Sequence, residues 1–146
     1  MARLHGLGRY AAIKEASGSL DQVSDLLARC SMTVLSGDDS LTLPMLALGA
    51  RGVISVVSNL LPRETSHLVE DFLAGDLEGA RRWHFRLLPF FRAAFLETNP
   101  APIKMLLHLE GKKTPETRLP LGAASEAIRP RLAEVLQSAT WRQEVA

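Results

Sequence analysis

Of the four lysines in this 146-residue chain, Lys104, Lys112 and Lys113 fall in helical or linker surroundings. Lys14 does not. It interrupts an apolar stretch, Tyr10-Ala11-Ala12-Ile13-Lys14-Glu15-Ala16, that has the composition of a buried strand. Side chains alternate along a strand, so Lys14 shares a face with Ala12 and Ala16 while Ile13 points the other way. Two alanines leave room around a long amine, and an apolar surround disfavours its charged form. A neutral amine is the form that attacks a carbonyl to make a Schiff base. The spacing leaves a second reading open, in which Lys14 is an edge lysine that snorkels to solvent.

Other chemistry-bearing residues have weaker settings. Asp38 and Asp39 could act as a carboxylate pair, but a Ser-Gly-Asp-Asp turn ahead of Leu41 more often caps a helix. His84 and His108 have no partner at metal-ligand spacing, and His5 and His67 carry no motif. The arginines from Arg81 to Arg92 read as a solvated helix face. Trp83, Phe90, Phe91 and Phe95 read as core or subunit contact. Cys30, the only cysteine, has no accompanying base and reads as an inert thiol.

The elements that must position Lys14 follow from periodicity. Two more short apolar segments, Met32-Thr33-Val34-Leu35 and Gly52-Val53-Ile54-Ser55-Val56-Val57, predict strands buried on both faces, as in a parallel sheet under helices. Between them, Leu20, Val23, Leu26 and Leu27 recur on one helical stripe, with Ser19 or Asp21 as cap. Leu41 to Leu48 predicts a shorter helix that tolerates Pro44 in its first turn and stops at Gly49. A third helix runs from Arg63 to Leu73 and ends at Gly75. Strand and helix alternate at roughly twenty-residue spacing, which is βαβ architecture, with C-terminal strand ends as the natural place for a site. Beyond residue 75 the pattern is helical only. Leu77 through Leu96 should turn Trp83, Leu87, Leu88, Phe91 and Phe95 inward. Ile103 to Leu109 and Ile128 to Trp141 should form two further helices. The division is thus 1–75 for the βα units and 76–146 for a helical extension.

Composition narrows the class. The chain is 47% hydrophobic and 23% charged, with a formal net charge of +1. That balance gives no electrostatic footprint for nucleic acid or for an anionic membrane. The longest apolar runs fall short of the roughly 20 residues of a membrane span, and the first residues lack the apolar core of a signal peptide. A reduced, cytoplasmic setting is expected.

The motifs, in order, add a resemblance. Ile13-Lys14-Glu15-Ala16-Ser17-Gly18 followed by Leu20-Asp21-Gln22-Val23 resembles the Schiff-base strand of the 4-hydroxy-tetrahydrodipicolinate synthase (dihydrodipicolinate synthase) family. Val34-Leu35-Ser36-Gly37-Asp38-Asp39, Gly49-Ala50-Arg51-Gly52-Val53-Ile54-Ser55-Val56 and Leu96-Glu97-Thr98-Asn99-Pro100-Ala101-Pro102-Ile103-Lys104 are similar to later family motifs at matching spacing. The resemblance implies an α/β fold that is part of a TIM (β/α)8 barrel: its last three βα units, strands 6 to 8, followed by the C-terminal helical extension. It implies a lyase, condensing pyruvate with aspartate 4-semialdehyde in lysine (diaminopimelate) biosynthesis, with no cofactor and no metal. Lys14 would form the imine, Ile54 would contact the keto acid through its backbone carbonyl, and Gly37 would lie where the backbone approaches the site. Sialic-acid and sugar-acid aldolases share this lysine chemistry and form an alternative. A full barrel needs about 250 residues. The family's threonine loop, its relay tyrosine and its substrate-recognising arginine have no counterpart here, and Tyr10 does not match the tyrosine's position. The expectation is therefore a C-terminal fragment. It would be completed by an N-terminal barrel half or assembled as a homo-oligomer, or else it would be a non-catalytic remnant.

Overall fold

The computed structural model describes residues 6–140. The first strand, β1 (Ala12–Glu15), pairs in parallel with β2 (Thr33–Ser36), in the register Ala12 with Thr33 through Glu15 with Ser36. The connection between them is helix α1 (Leu20–Arg29). Of the two expected caps it uses Ser19, whose hydroxyl accepts the Gln22 amide at 3.2 Å. Val23 and Leu26 on the inner stripe of α1 pack with Val34, Met45 and Ala50, with Ile13 and Leu41 at the margin.

Helix α2 (Thr42–Leu48) follows a one-turn 3₁₀ segment at Asp39–Leu41 and ends at Gly49, whose φ of 118° is the left-handed conformation that glycine supplies at a helix end. The chain then returns beside β2. Arg51 N–H donates to the Val34 carbonyl, Ser36 N–H to Gly52, and Ile54 N–H to Ser36, at 2.8–2.9 Å. Val53 makes a parallel bridge to Ser36.

The expected third strand to Val57 is corrected here: the ladder ends at Ile54, and Val57–Asn59 is a 3₁₀ turn. The cause is Asp39. Its Oδ2 accepts the Val56 and Val57 amides at 2.9 and 3.4 Å, so those donors leave the sheet.

Alternation along the paired strands corrects a second expectation. Glu15, Val34 and Ser36 are buried and Ile13 is half-buried on the helix-covered face, whereas Ala12, Lys14 and Thr33 are exposed on the other. Among the described residues the sheet is covered on one face only.

The rest of the chain is helical: α3 (Pro62–Leu73), α4 (Leu77–Ala93), α5 (Ala101–Leu109) and α6 (Arg129–Ser138). Asp76 caps α4 by accepting the Gly79 amide at 2.8 Å. One continuous core joins Leu68, Leu87, Phe90, Phe91, Ile103, Leu106 and Leu132, and draws in Leu46, Val57, Leu60 and Leu61 from the preceding segment. It therefore spans residue 75. Trp83 and Leu88 pack against this core as expected. Phe95 does not: it is 51% exposed, because α4 ends at Ala93 and the helical stripe ends with it. Trp141 lies outside the described residues. No helix among the described residues is long and apolar enough to cross a membrane.

Candidate active site at the strand ends

A single peptide unit gathers the C-terminal ends of the three parallel segments. The Gly37 N–H donates to the Glu15 carbonyl at 2.6 Å, and the carbonyl of the same peptide, that of Ser36, accepts the Ile54 N–H at 2.8 Å. Lys14 and Ile54 therefore flank one Ser36–Gly37 corner, although forty residues separate them in sequence. The Ser36 side chain adds to the corner by donating to the Asp38 carbonyl at 2.7 Å and accepting the Asp38 amide at 3.2 Å.

Gly37 is needed there for space. A Cβ at this position would lie 2.6 Å from the Ala16 Cβ, 2.8 Å from the Lys14 Cε and 3.0 Å from the Glu15 carbonyl oxygen. Only the second of these neighbours is the far part of a flexible chain, so any larger residue forces β1 and β2 apart. The same distances place the Lys14 side chain across the end of β2. Its Cε thus lies over the Gly37 corner, and the side chain is exposed on the uncovered face.

Lys14 is exposed, however, and the expected dry surround does not form among the described residues. The reason is the one-sided sheet. Its neighbours Ala12 and Ala16 are exposed as well, and among the described residues no second layer covers that face. Ile54 is 46% exposed, with its N–H held by Ser36. Its carbonyl accepts no hydrogen bond among the described residues.

Two buried carboxylates, Glu15 and Asp39, brace this corner from the covered side. Glu15 follows Lys14 and is 4% exposed. Its Oε1 accepts the Ser17 amide and the Gln22 side-chain amide, both at 3.0 Å, which fixes the turn leaving β1. Asp39 is 1% exposed and holds Val56 and Val57 as described. Burial pushes its carboxyl above the ordinary range, partly offset by the Ser55 hydroxyl beside it and by those two amides. Asp38 does what the turn implied: its Oδ1 accepts the Ser40 amide and hydroxyl at 3.1 and 2.9 Å. The two aspartates are a cap and a brace, and they do not face each other as a catalytic pair. Their signal in the sequence was the Ser-Gly-Asp-Asp turn ahead of Leu41, which opens as a 3₁₀ segment at Asp39–Leu41.

Elsewhere, Lys104 Nζ donates to the Glu116 carbonyl at 2.5 Å and ties a surface loop. Glu97 accepts both the amide and hydroxyl of Ser125, which hold its carboxyl below the usual range. His84 lies half-buried against Phe85 and Phe91, and burial pushes its imidazole down. Arg81 and Arg82 pair with Glu78 and Asp76, as a solvated helix face would. Among the described residues no group of three His, Cys, Asp or Glu is placed to hold a metal ion.

Known proteins resemble this chain along most of its length. The model of the Dihydrodipicolinate synthetase family matches residues 1–139. A 4-hydroxy-tetrahydrodipicolinate synthase of Geotalea daltonii is 48% identical over 139 residues, which is 94% of this chain and 48% of the relative. The structure of the 4-hydroxy-tetrahydrodipicolinate synthase from Methylacidiphilum fumariolicum superposes with a TM-score of 0.92 at 42% identity, over 98% of this chain and 49% of that one. The chloride-inhibited dihydrodipicolinate synthase from Acinetobacter baumannii, complexed with pyruvate, superposes with a TM-score of 0.90 at 31% identity, over 94% and 48%. The chain spans about half the length of the relatives it matches.

Proposed function

This chain belongs to the dihydrodipicolinate synthetase family, and from that premise we propose that it carries the imine-forming part of a class I pyruvate aldolase site. The Lys14 amine adds to the keto carbon of pyruvate, and loss of water leaves a protonated imine. That imine is the electron sink. Loss of a methyl proton gives an enamine, whose carbon attacks the aldehyde of aspartate 4-semialdehyde, the acceptor of the lysine-biosynthetic branch. Ile54 contributes its backbone carbonyl to the bound keto acid. Gly37 contributes the absence of a side chain where the amine crosses.

The observation that carries this reading is the Ser36–Gly37 peptide, bonded to the Lys14 strand on one side and to Ile54 on the other, with Lys14 Cε over Gly37. The uncovered sheet face supports the rest of it. In this reading residues 1–75 are the last three βα units of a TIM barrel, residues 76–146 are its helical extension, and the Lys14 face is the barrel interior. The Lys14 face then works against an N-terminal barrel half, or within a homo-oligomer. An open groove of about 400 Å³ beside the Val53 segment, lined by Leu35, Val53, Ser55, Thr65 and Val69, is a further surface for that half to fill.

The test is to incubate the purified chain with pyruvate, reduce with borohydride and weigh it, alongside Lys14→Ala. A gain of one reduced pyruvate adduct in the parent alone supports the imine site. A folded parent that gains nothing, alone and with the N-terminal half of a relative added, is a non-catalytic remnant.

A further inference from the structure

Ile54 sits between two anchors. Its own N–H is held by the Ser36 carbonyl at 2.8 Å, and two and three residues later the chain is held again by the Asp39 carboxylate. The peptide between Ile54 and Ser55 lies between those points, so its orientation follows from both. The first anchor is a ladder bond available to any residue. The second is a specific side chain, Asp39, whose hold on the Val56 and Val57 amides keeps the ladder from continuing past Ile54. A third strand that continued to Val57 would keep its carbonyls in the repeating directions of a ladder. Asp39 prevents this.

We infer that Asp39 is a positioning residue for the proposed pyruvate site, fixing the Ile54 carbonyl by holding the Val56 and Val57 amides. This rests on the imine reading and extends it to a residue that touches neither substrate nor amine. Three features favour a dedicated role over general packing. The carboxylate is buried to 1% exposure, where an apolar residue of similar size would avoid the cost of desolvating a charge. Only Oδ2 is engaged by the two amides. Oδ1 makes no comparable bond, and the Ser55 hydroxyl lies beside the carboxylate, so the bonding of this side chain is directed to residues 55–57. Finally, the Ser55 hydroxyl accepts the Ser58 amide at 2.8 Å, and Ser58 donates to the Ser55 carbonyl at 3.0 Å. The chain leaving Ile54 is therefore clamped again immediately after the carboxylate.

The experiment measures the pyruvate concentration that gives half-maximal borohydride-trapped adduct, with hydrogen exchange of the peptide covering residues 52–58, in the parent, Asp39→Ala and Asp39→Asn. In Asp39→Ala the 52–58 segment should exchange faster, and half-maximal trapping should need about tenfold more pyruvate, the worth of one well-placed hydrogen bond. Asp39→Asn keeps an acceptor oxygen for the two amides and should restore most of both. Should Asp39→Ala not fold, Asp39→Glu, which keeps the charge and displaces the acceptor by one methylene, takes its place with the same expected rise. A folded Asp39→Ala or Asp39→Glu with the parent's concentration dependence overturns the inference, as does an Asp39→Asn no better than Asp39→Ala. A parent that traps no pyruvate overturns the imine reading and this inference together, which separates the two failures.

Discussion

The α/β region and the helical region of this chain are built from similar proportions of apolar residues, yet they reach opposite ends. The helices bury Leu87, Phe90, Leu106 and Leu132 to 1% exposure or less, around a core shared by four helices. The α/β region packs its helices on one side, with Val23, Val34 and Met45 at its centre, and leaves Ala12, Lys14, Thr33 and Ile54 facing water. Helices close a core by packing on neighbours in sequence, whereas a parallel sheet needs a layer on each face and a partner on each edge. The difference locates the chemistry. The proposed amine stands in the region whose burial these residues do not finish, and the helical region gives that region a stable back.

The most costly substitution should be in the helical core. Phe90→Ala should cost about 3–5 kcal/mol in denaturant unfolding, while Val34→Ala in the smaller core should cost about 2 kcal/mol. Equal losses would break the distinction between the two cores. Next is Gly37→Val, whose new side chain meets Ala16 and Lys14. It should cost about 1–3 kcal/mol through overpacking and remove trapped pyruvate adduct, with hydrogen exchange in α4 and α5 unchanged. Adduct at the parent's level would show that the corner is looser than its distances imply. Ser19→Ala removes the cap of α1 and should cost about 1 kcal/mol, seen as faster exchange in the first turn of that helix.

The smallest effect is a pH dependence in the helical region. Burial pushes the His84 imidazole below its ordinary 6.5, so the unfolded chain binds a proton more readily than the folded one. The His84 contribution is then complete above about 6.5 and is lost as pH falls below it toward the folded value. Thermal midpoints should drop across that window in the parent, and His84→Gln should flatten the drop. A parent and variant with the same pH slope would remove His84 as the cause.

Much of this was legible in the amino-acid sequence, for local reasons. The β1 and β2 segments, the Ser19 cap, the stop at Gly49 and the inward set of Leu87 and Phe91 follow from alternation, capping chemistry and helical period, which act over a few residues. What was not legible depends on distant groups. Whether Lys14 is enclosed depends on a layer that its own segment does not contain. The third strand stops at Ile54 because a carboxylate seventeen residues earlier takes the Val56 amide. Phe95 faces water because α4 ends two residues before it, at Ala93. Glu15, near the end of the expected first strand, is buried because its carboxylate accepts the Ser17 amide and the Gln22 side-chain amide.

The imine is assigned to one amine among four. After incubation with pyruvate and reduction, proteolytic digestion and mass mapping should find the adduct on the peptide containing Lys14, with Lys104, Lys112 and Lys113 unmodified. Adduct spread evenly over the lysines, or confined to Lys112 and Lys113 on their exposed linker, would show ordinary amine reactivity and contradict a site at the strand ends.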